Sequence, residues 1–165
     1  EVMDFCKLWK LNADELDLHY DVKEKRVVFL VKSNGTTVDA VGRSVTNRLP
    51  KWKRYGKNSL PYTYGCGKVA VVVEDCVSAS VVGNDVYVGL AVLGTSLSES
   101  HKQYLSQFST AIIALDPDAL PKTLAFAKEL RGYVNDIKVL RLTDDLKYRN
   151  TIDIENLNNL TQQQQ

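Results

Sequence analysis

Residues 68–74 read Lys-Val-Ala-Val-Val-Val-Glu, and this stretch decides the fold class of the protein. A nearly continuous apolar run of this length is typical of a strand that is buried on both faces in a parallel sheet. Three similar runs follow along the chain, at residues 86–93, 110–115 and 136–142. Helical patterns separate the four runs, at residues 74–82, 98–108 and 121–130. Strands that alternate with helices at this spacing predict an α/β fold with a parallel sheet flanked by helices.

The part of the chain before this sheet has a different pattern. Two β-rich runs, at residues 26–32 and 36–43, flank Asn34-Gly35. An Asn-Gly pair between two such runs predicts a β-hairpin. Residues 8–21 favour a short helix followed by a strand, and residues 44–68 contain several prolines and glycines that predict mostly loop.

The chain therefore divides into three predicted parts. Residues 1–67 are expected to form a small basic α+β subdomain that contains the β-hairpin, and residues 68–155 are expected to form the α/β domain. Residues 156–165 end in four glutamines, and their polar composition predicts a linker or a disordered tail.

The positive charge of the chain is concentrated in one segment. The net charge is only +1, but residues 41–68 carry seven basic side chains and no acidic one. The same segment contains four aromatic residues, Trp52, Tyr55, Tyr62 and Tyr64. Cations bind phosphates regardless of base sequence, and aromatic rings stack on unpaired bases, so the segment favours binding of a single nucleic-acid strand. The alternative is a solvated loop whose charges only increase solubility.

The composition excludes several other classes of protein. No stretch approaches the roughly 18 consecutive apolar residues of a membrane span, and the first residues lack the pattern of a secretory signal. Cys6, Cys66 and Cys76 lie far apart and form no C-x-x-C pair. This spacing argues for a reducing compartment, the cytoplasm, and against a zinc ribbon.

Acidic side chains follow three of the four predicted strands of the α/β domain. The residues at the four strand ends are Glu74-Asp75, Gly94-Thr95-Ser96, Asp116-Pro117-Asp118 and Thr143-Asp144-Asp145. Because functional groups of parallel sheets lie at the carboxyl ends of the strands, these carboxylates are expected to crowd at one edge. Crowded carboxylates repel one another unless a cation compensates their charge. Mg²⁺ takes one or two carboxylates and leaves its other positions to water and phosphates, which suits phosphoryl or nucleotidyl transfer.

Three segments resemble the motifs of the TOPRIM domain, which primases, topoisomerases and some nucleases share. They are Val72-Val73-Glu74, Leu93-Gly94-Thr95-Ser96-Leu97 and residues 112–119, Ile-Ile-Ala-Leu-Asp-Pro-Asp-Ala. The Gly-Thr-Ser-Leu sequence is similar to the Gly-Thr-Ala-Leu turn of bacterial replicative primases. Upstream, the hairpin, Gly42-Arg43 and Pro50-Lys51-Trp52 resemble elements of the primase amino-terminal subdomain. The resemblance is nearest to primases or primase–helicases of tailed phages.

The resemblance implies a DNA primase catalytic core, an enzyme that synthesises short RNA primers on single-stranded DNA with Mg²⁺ or Mn²⁺. It implies catalytic roles for Glu74, Asp116 and Asp118, and metal ligation by these three residues and Asp145. Glu74 is either a metal ligand or a general acid/base near the attacking hydroxyl group.

The resemblance also implies binding partners. Template or nucleotide phosphates are expected to contact a set of basic residues: Arg43, Lys51, Lys53, Arg54, Lys57 and Lys68. The expected partners are single-stranded DNA, ribonucleoside triphosphates and a replicative helicase, in the cytoplasm of a bacterial host if the protein is phage-encoded.

Two other functions stay open. The same carboxylates would serve a TOPRIM nuclease, which cleaves nucleic acid rather than joining nucleotides. A non-catalytic module that binds single-stranded DNA within a replication complex is the second alternative. The sequence also departs from cellular primases at Ala119-Leu120-Pro121, where Ala-Gly is usual, and at Ser78, where an acidic residue often stands.

Overall fold

The computed structural model of the chain describes residues 1–57 and 60–162. The chain forms two compact units, Glu1–Tyr62 and Thr63–Gln165. The boundary predicted from the sequence lay between residues 67 and 68. Residues 163–165 of the predicted tail lie outside the described residues.

The first unit is an antiparallel sheet with two short helices. Its elements are α1 (Val2–Trp9), α2 (Ala13–Leu16), β1 (His19–Asp21), β2 (Arg26–Ser33), β3 (Thr36–Ser44) and β4 (Trp52–Arg54), and the sheet order is β1-β2-β3-β4. The predicted hairpin is confirmed, because β2 and β3 pair antiparallel as far as Ser33 and Thr36. Asn34 and Gly35 have positive φ values of 52° and 79°, as a type I′ turn requires. Strand β4 lies within the segment that was predicted to be mostly loop.

The core of the first unit is aromatic. Phe29 of β2 is fully buried, and its ring centroid lies 6.2 Å from that of Phe5 and 5.7 Å from that of Trp52. Such pairs contribute about 0.5–1.5 kcal/mol beyond their burial. Helix α1 and strand β4 are therefore held to β2 by one ring.

A buried arginine fastens the strand ends of the first unit. The Arg26 side chain is 0% exposed, and its Nε donates to Glu24 Oε1 at 2.9 Å. One terminal nitrogen also donates to the carbonyl oxygens of Gly42 at 3.3 Å and Pro50 at 2.7 Å. A buried guanidinium group is retained only when it is paired in this way, so Arg26 fixes the chain at residue 50 to the sheet.

The second unit is a parallel sheet with helices between its strands. Its first strand is β5 (Tyr62–Tyr64), which begins at the last residue of the first unit. The other elements are β6 (Val69–Val73), α3 (Cys76–Val82), β7 (Tyr87–Ala91), α4 (Glu99–Leu105), β8 (Thr110–Ile113), α5 (Leu120–Leu130), β9 (Asp136–Val139), a 3₁₀ helix (Leu146–Tyr148) and α6 (Thr151–Gln162). The sheet order is β5-β7-β6-β8-β9. Strand β6 is parallel to β7 and β8, and β8 is parallel to β9. The predicted parallel α/β fold is confirmed.

The apolar run of β6 is continuous because both of its faces are covered. Ala70, Val71 and Val72 are all 0% exposed. Leu90 of β7 and Ile113 of β8 are equally buried on either side of the strand. The central position of β6 therefore explains its sequence.

Most of the predicted tail is helical and belongs to α6. Residues 156–162, which were expected to form a linker or disordered tail, belong to this helix. Leu157 is 2% exposed, and the hydroxyl group of Tyr87 donates to Asn158 Oδ1 at 2.9 Å. The prediction was wrong because Asp153 and Leu157 form a narrow buried stripe at i, i+4, which the polar residues around it conceal in the sequence.

The three cysteines are free thiols, with Cys6 and Cys76 buried and Cys66 exposed. Among the described residues, no helix is long and apolar enough to cross a membrane.

Candidate active site

Three acidic residues lie at the carboxyl edge of the parallel sheet. Glu74 directly follows β6, Asp116 follows β8, and Asp145 lies in the segment after β9. Strand β8 pairs in parallel with both β6 and β9, so three adjacent strands deliver these residues to the same edge. We call this group, together with Asp75, the acidic edge.

The Asp116 carboxyl group is the electrostatic centre of the acidic edge. It is partly buried, and it is hydrogen-bonded to the carboxyl group of Asp145. Burial is the largest cause that raises the pKa of Asp116 to about 7, and the hydrogen bond to Asp145 adds to the effect. The charges of Asp145, Glu74 and Asp75 raise this pKa further. The pKa of Asp116 therefore lies close to neutral pH.

Two lysines neutralise the carboxylates around this pair. Lys122 Nζ lies 2.8 Å from Glu74 Oε2. Lys147 Nζ lies 3.4 Å from Asp75 Oδ2 and 3.6 Å from Asp145 Oδ2. Neither lysine was predicted from the sequence, because Lys122 lies on α5 and Lys147 on the 3₁₀ helix, away from the strand ends. Nothing in the sequence distinguishes them from the other basic residues of the chain.

Asp75 has a structural role beside Glu74. It is the N-cap of α3, and its Oδ1 accepts a hydrogen bond from the backbone N–H of Ser78 at 2.9 Å. Its other oxygen is the one that Lys147 contacts. Asp75 is thus committed to the helix and to Lys147, whereas the Glu74 carboxylate has only Lys122 as a described partner.

The structure does not bring Asp118 into contact with this group. Asp118 is exposed, and among the described residues no hydrogen bond or ion pair joins it to Asp116 or Asp145. Asp144 is also exposed and accepts a hydrogen bond from Asn150 Nδ2 at 3.2 Å. Of the two acidic residues at the fourth strand end, Asp145 is therefore the one that reaches Asp116.

A buried carboxylate holds the loop that carries Asp145. Asp153 of α6 is 1% exposed. Its two oxygens accept hydrogen bonds from Thr143 N at 2.9 and 3.0 Å, and from Asp144 N at 3.1 Å. Asp153 was not predicted from the sequence. The available signal was Asn150, whose side chain accepts from Ile152 N and Asp153 N in the manner of a helix cap.

The donor set fits a hard divalent cation such as Mg²⁺. Asp116 and Asp145 present two adjacent carboxyl groups, and Mg²⁺ commonly binds to one or two carboxylates with water completing its shell. Burial first, and then the neighbouring carboxyl groups, raise the pKa of Asp116, and a bound cation would offset the repulsion among these groups. Within residues 1–57 and 60–162, however, no three His, Cys, Asp or Glu side chains converge closely enough to hold a metal ion. The predicted four-ligand set is thus not preassembled, and the Asp116–Asp145 pair is the part of it that fits.

The predicted basic residues of the first unit fall into two groups. Lys53 is paired with Glu24, and Arg54 NH1 lies 2.8 Å from Asp39 Oδ2. Arg43 donates to the carbonyl oxygen of Ser44 and lies 5.9 Å from the ring of Trp52. Three residues of the predicted set are exposed: Lys51 and Lys57 in the first unit, and Lys68 in the second. No carboxylate partner is described for these three exposed residues, so their charges are presented to solvent.

No protein-family model and no curated protein matches the sequence. Solved structures do match the fold. The DnaG catalytic core superposes with a TM-score of 0.68 at 14% identity, covering 89% of this chain and 67% of that chain. The DnaG primase catalytic domain bound to single-stranded DNA gives a TM-score of 0.58 at 20% identity, with coverages of 87% and 58%. The primase fragment of the bacteriophage T7 primase-helicase gives 0.61 at 16% identity, with coverages of 82% and 63%.

These matches show that the chain has the fold of primase catalytic cores, as the sequence predicts. The chain spans about two thirds or less of the length of each matched structure.

Proposed function

We propose that the chain is the catalytic core of a DNA primase, which joins ribonucleotides into a short RNA primer on single-stranded DNA. The observation that carries this proposal is the Asp116–Asp145 pair, which lies at the carboxyl edge of a sheet with the primase-core fold. A pair of crowded carboxyl groups at this position suits a reaction that brings a divalent cation together with nucleotide phosphates.

The acidic residues at this edge have different roles in the proposed reaction. A Mg²⁺ or Mn²⁺ ion held by Asp116 and Asp145 would supply the positive charge that neutralises the phosphates of an incoming ribonucleotide. Glu74, oriented by Lys122 at 2.8 Å, is placed at the same edge and would accept the proton of the attacking hydroxyl group. Asp118 is exposed, two positions beyond Asp116 in the chain, and would contact the metal ion or a water molecule bound to it.

The template is expected to contact the first unit. Lys51 and Lys57 are exposed there, and ammonium groups bind backbone phosphates regardless of base sequence. One structural relative is a primase domain bound to single-stranded DNA, and another is part of a primase-helicase. We therefore propose single-stranded DNA and ribonucleoside triphosphates as ligands, a replicative helicase as partner, and a phage-encoded protein acting in the bacterial cytoplasm.

Primer synthesis is the direct test of this function. The chain is incubated with single-stranded DNA, labelled ribonucleotides and Mg²⁺ or Mn²⁺, and short labelled RNA products are expected. Asp145→Asn should remove them, whereas Glu129→Gln, which changes an exposed carboxylate of α5, should not.

The same samples separate the alternatives. Cleavage of end-labelled DNA without RNA synthesis would identify a TOPRIM nuclease instead. DNA binding that is indifferent to Mg²⁺, with neither synthesis nor cleavage, would identify a non-catalytic binding module.

A further inference from the structure

The acidic edge contains two ammonium groups that take no direct part in the proposed reaction. The Lys122 side chain is 22% exposed and the Lys147 side chain is 11% exposed. Burying a lysine to this extent is costly unless its charge is matched. Their positions at the acidic edge therefore call for a physical explanation.

Packing within helix α5 orients the Lys122 side chain toward Glu74. Its ammonium group lies 5.7 Å from the centroid of the Phe126 ring, four residues further along α5. Phe126 is 2% exposed, so the ring that backs the Lys122 side chain is fixed in the core. This packing directs the ammonium group toward Glu74 and leaves it 2.8 Å from Oε2.

Lys147 is anchored independently of Lys122. It lies on the 3₁₀ helix, next to Leu146, which is 1% exposed and holds that helix to the core. Its ammonium group lies between two carboxylates, 3.4 Å from Asp75 and 3.6 Å from Asp145. It therefore bridges the strand ends of β6 and β9 where a cation would otherwise be required.

The charges of the acidic edge can be counted. Its four carboxylates are Glu74, Asp75, Asp116 and Asp145, and its two ammonium groups are Lys122 and Lys147. With these six groups ionised, and with the exposed Asp118 not counted, four negative and two positive charges leave a net charge of −2. One divalent cation balances this charge, and a second would exceed it.

We propose that Lys122 and Lys147 are resident cations that limit the acidic edge to one divalent ion, held by Asp116 and Asp145. A two-metal site needs carboxylates on both ions, which lie about 3.5–4 Å apart. Here Lys122 is paired with Glu74, and Lys147 lies between Asp75 and Asp145. Asp116 is therefore the one carboxylate of the acidic edge without a described ammonium partner. The inference rests on the proposed function only in assigning a metal ion to this edge.

Metal stoichiometry is the test. The chain is titrated with Mn²⁺, and free Mn²⁺ is measured by electron paramagnetic resonance, so that binding is read without an activity assay. We expect about one Mn²⁺ per chain. Lys147→Met should admit a second ion, and Lys122→Met should tighten binding about tenfold, since a competing ammonium group is removed. Lys128→Met, which changes an exposed lysine of α5, should bind Mn²⁺ as the wild type does. The charge-conserving Lys122→Arg should keep the wild-type Mn²⁺ affinity and stoichiometry.

Two results would overturn the inference. The first is two or more Mn²⁺ bound by the wild type in a manner that Asp116→Asn removes. The second is a folded Lys122→Met variant whose Mn²⁺ affinity equals that of the wild type. This second measurement tests the inference even if Lys147→Met fails to fold. Primer synthesis is followed in the same samples. Two ions with synthesis would contradict the inference alone, and one ion without synthesis would contradict the proposed function alone.

Discussion

The carboxyl groups of Asp116 and Asp145 are hydrogen-bonded to each other at the carboxyl edge of the parallel sheet. They come from the segments that follow β8 and β9, which are adjacent and parallel. Two carboxyl groups so close are unfavourable when both are ionised. The contact is therefore electrostatically unfavourable for the folded protein, and contacts of this kind are typical of functional sites.

Replacing Asp116 should separate function from stability. Asp116→Asn is expected to abolish primer synthesis and to weaken Mn²⁺ binding at least about tenfold. Its thermal stability should stay equal to that of the wild type or rise, because a neutral amide replaces a carboxyl group that is crowded by other charges. Mn²⁺ titration and thermal unfolding measure the two effects, with Glu129→Gln as control. An unchanged Mn²⁺ affinity would contradict the assignment.

Glu74 and Asp75 should differ although they are adjacent. Glu74→Gln is expected to remove synthesis, whereas Asp75→Asn should keep most of it, because asparagine still caps α3. Asp75→Ala should in addition lower the free energy of unfolding by about 1 kcal/mol, since alanine cannot cap the helix. Synthesis rates and urea unfolding of the three variants check this. Equal losses of synthesis in Glu74→Gln and Asp75→Asn would show that the wrong residue has been assigned.

The exposed basic residues of the first unit should contribute to DNA binding, whereas those paired with carboxylates should contribute to stability. The double variant Lys51→Ala, Lys57→Ala is expected to weaken binding of single-stranded DNA and to reduce the log–log salt slope by about 0.7 for each phosphate that the protein no longer binds. The matched double variant Lys53→Ala, Arg54→Ala should mainly destabilise the first unit, because it leaves Glu24 and Asp39 without these cations. Fluorescence anisotropy at several salt concentrations gives the slope. A slope unchanged by the first pair would mean that those lysines do not bind the strand.

Asp39 should make the stability of the first unit depend on acid pH. Burial alone would raise the pKa of Asp39, but hydrogen bonds from Arg54, Ala40 N and Gly56 N outweigh it and hold this pKa below its usual value. An acid whose pKa is lowered by folding stabilises the fold above its unfolded pKa, and the contribution disappears as the pH falls through the folded pKa.

The variant Asp39→Asn tests this contribution. We expect it to lower the free energy of unfolding at neutral pH by about 2 kcal/mol, since charged hydrogen bonds are removed. It should also flatten the loss of stability of the wild type below about pH 4. Urea unfolding across this pH range measures both effects. Parallel stability curves for the two proteins would argue against a role for Asp39.

Asp153 should act on metal binding through the loop that it holds. Asp153→Ala leaves the N–H groups of Thr143 and Asp144 without their acceptor, so a loss of about 1–3 kcal/mol in the free energy of unfolding is expected. Because the same loop carries Asp145, Mn²⁺ affinity should fall as well. Glu155→Ala changes an exposed acid of the same helix and should affect neither quantity. A destabilised variant with unchanged Mn²⁺ affinity would assign Asp153 a structural role only.

The sequence predicted the elements whose patterns are local. The apolar run at residues 69–73 indicated a central parallel strand, and Asn34-Gly35 indicated the hairpin, because burial on two faces and a turn with positive φ each restrict residue type directly. Helix α6 was missed, since its buried stripe consists of little more than Asp153 and Leu157.

The sequence by itself determined which strands are parallel-sheet strands and which carboxylates follow them, because hydrophobic period and chain order are written along the chain. Only the tertiary structure decided how those carboxylates are used. It joined Asp116 to Asp145, left Asp118 exposed, and brought Lys122 and Lys147 to the edge. Contacts of this kind depend on how α5 and the 3₁₀ helix pack against the strand ends. Side chains distant in sequence meet there, and charge pairing between them leaves no periodic signal in the chain.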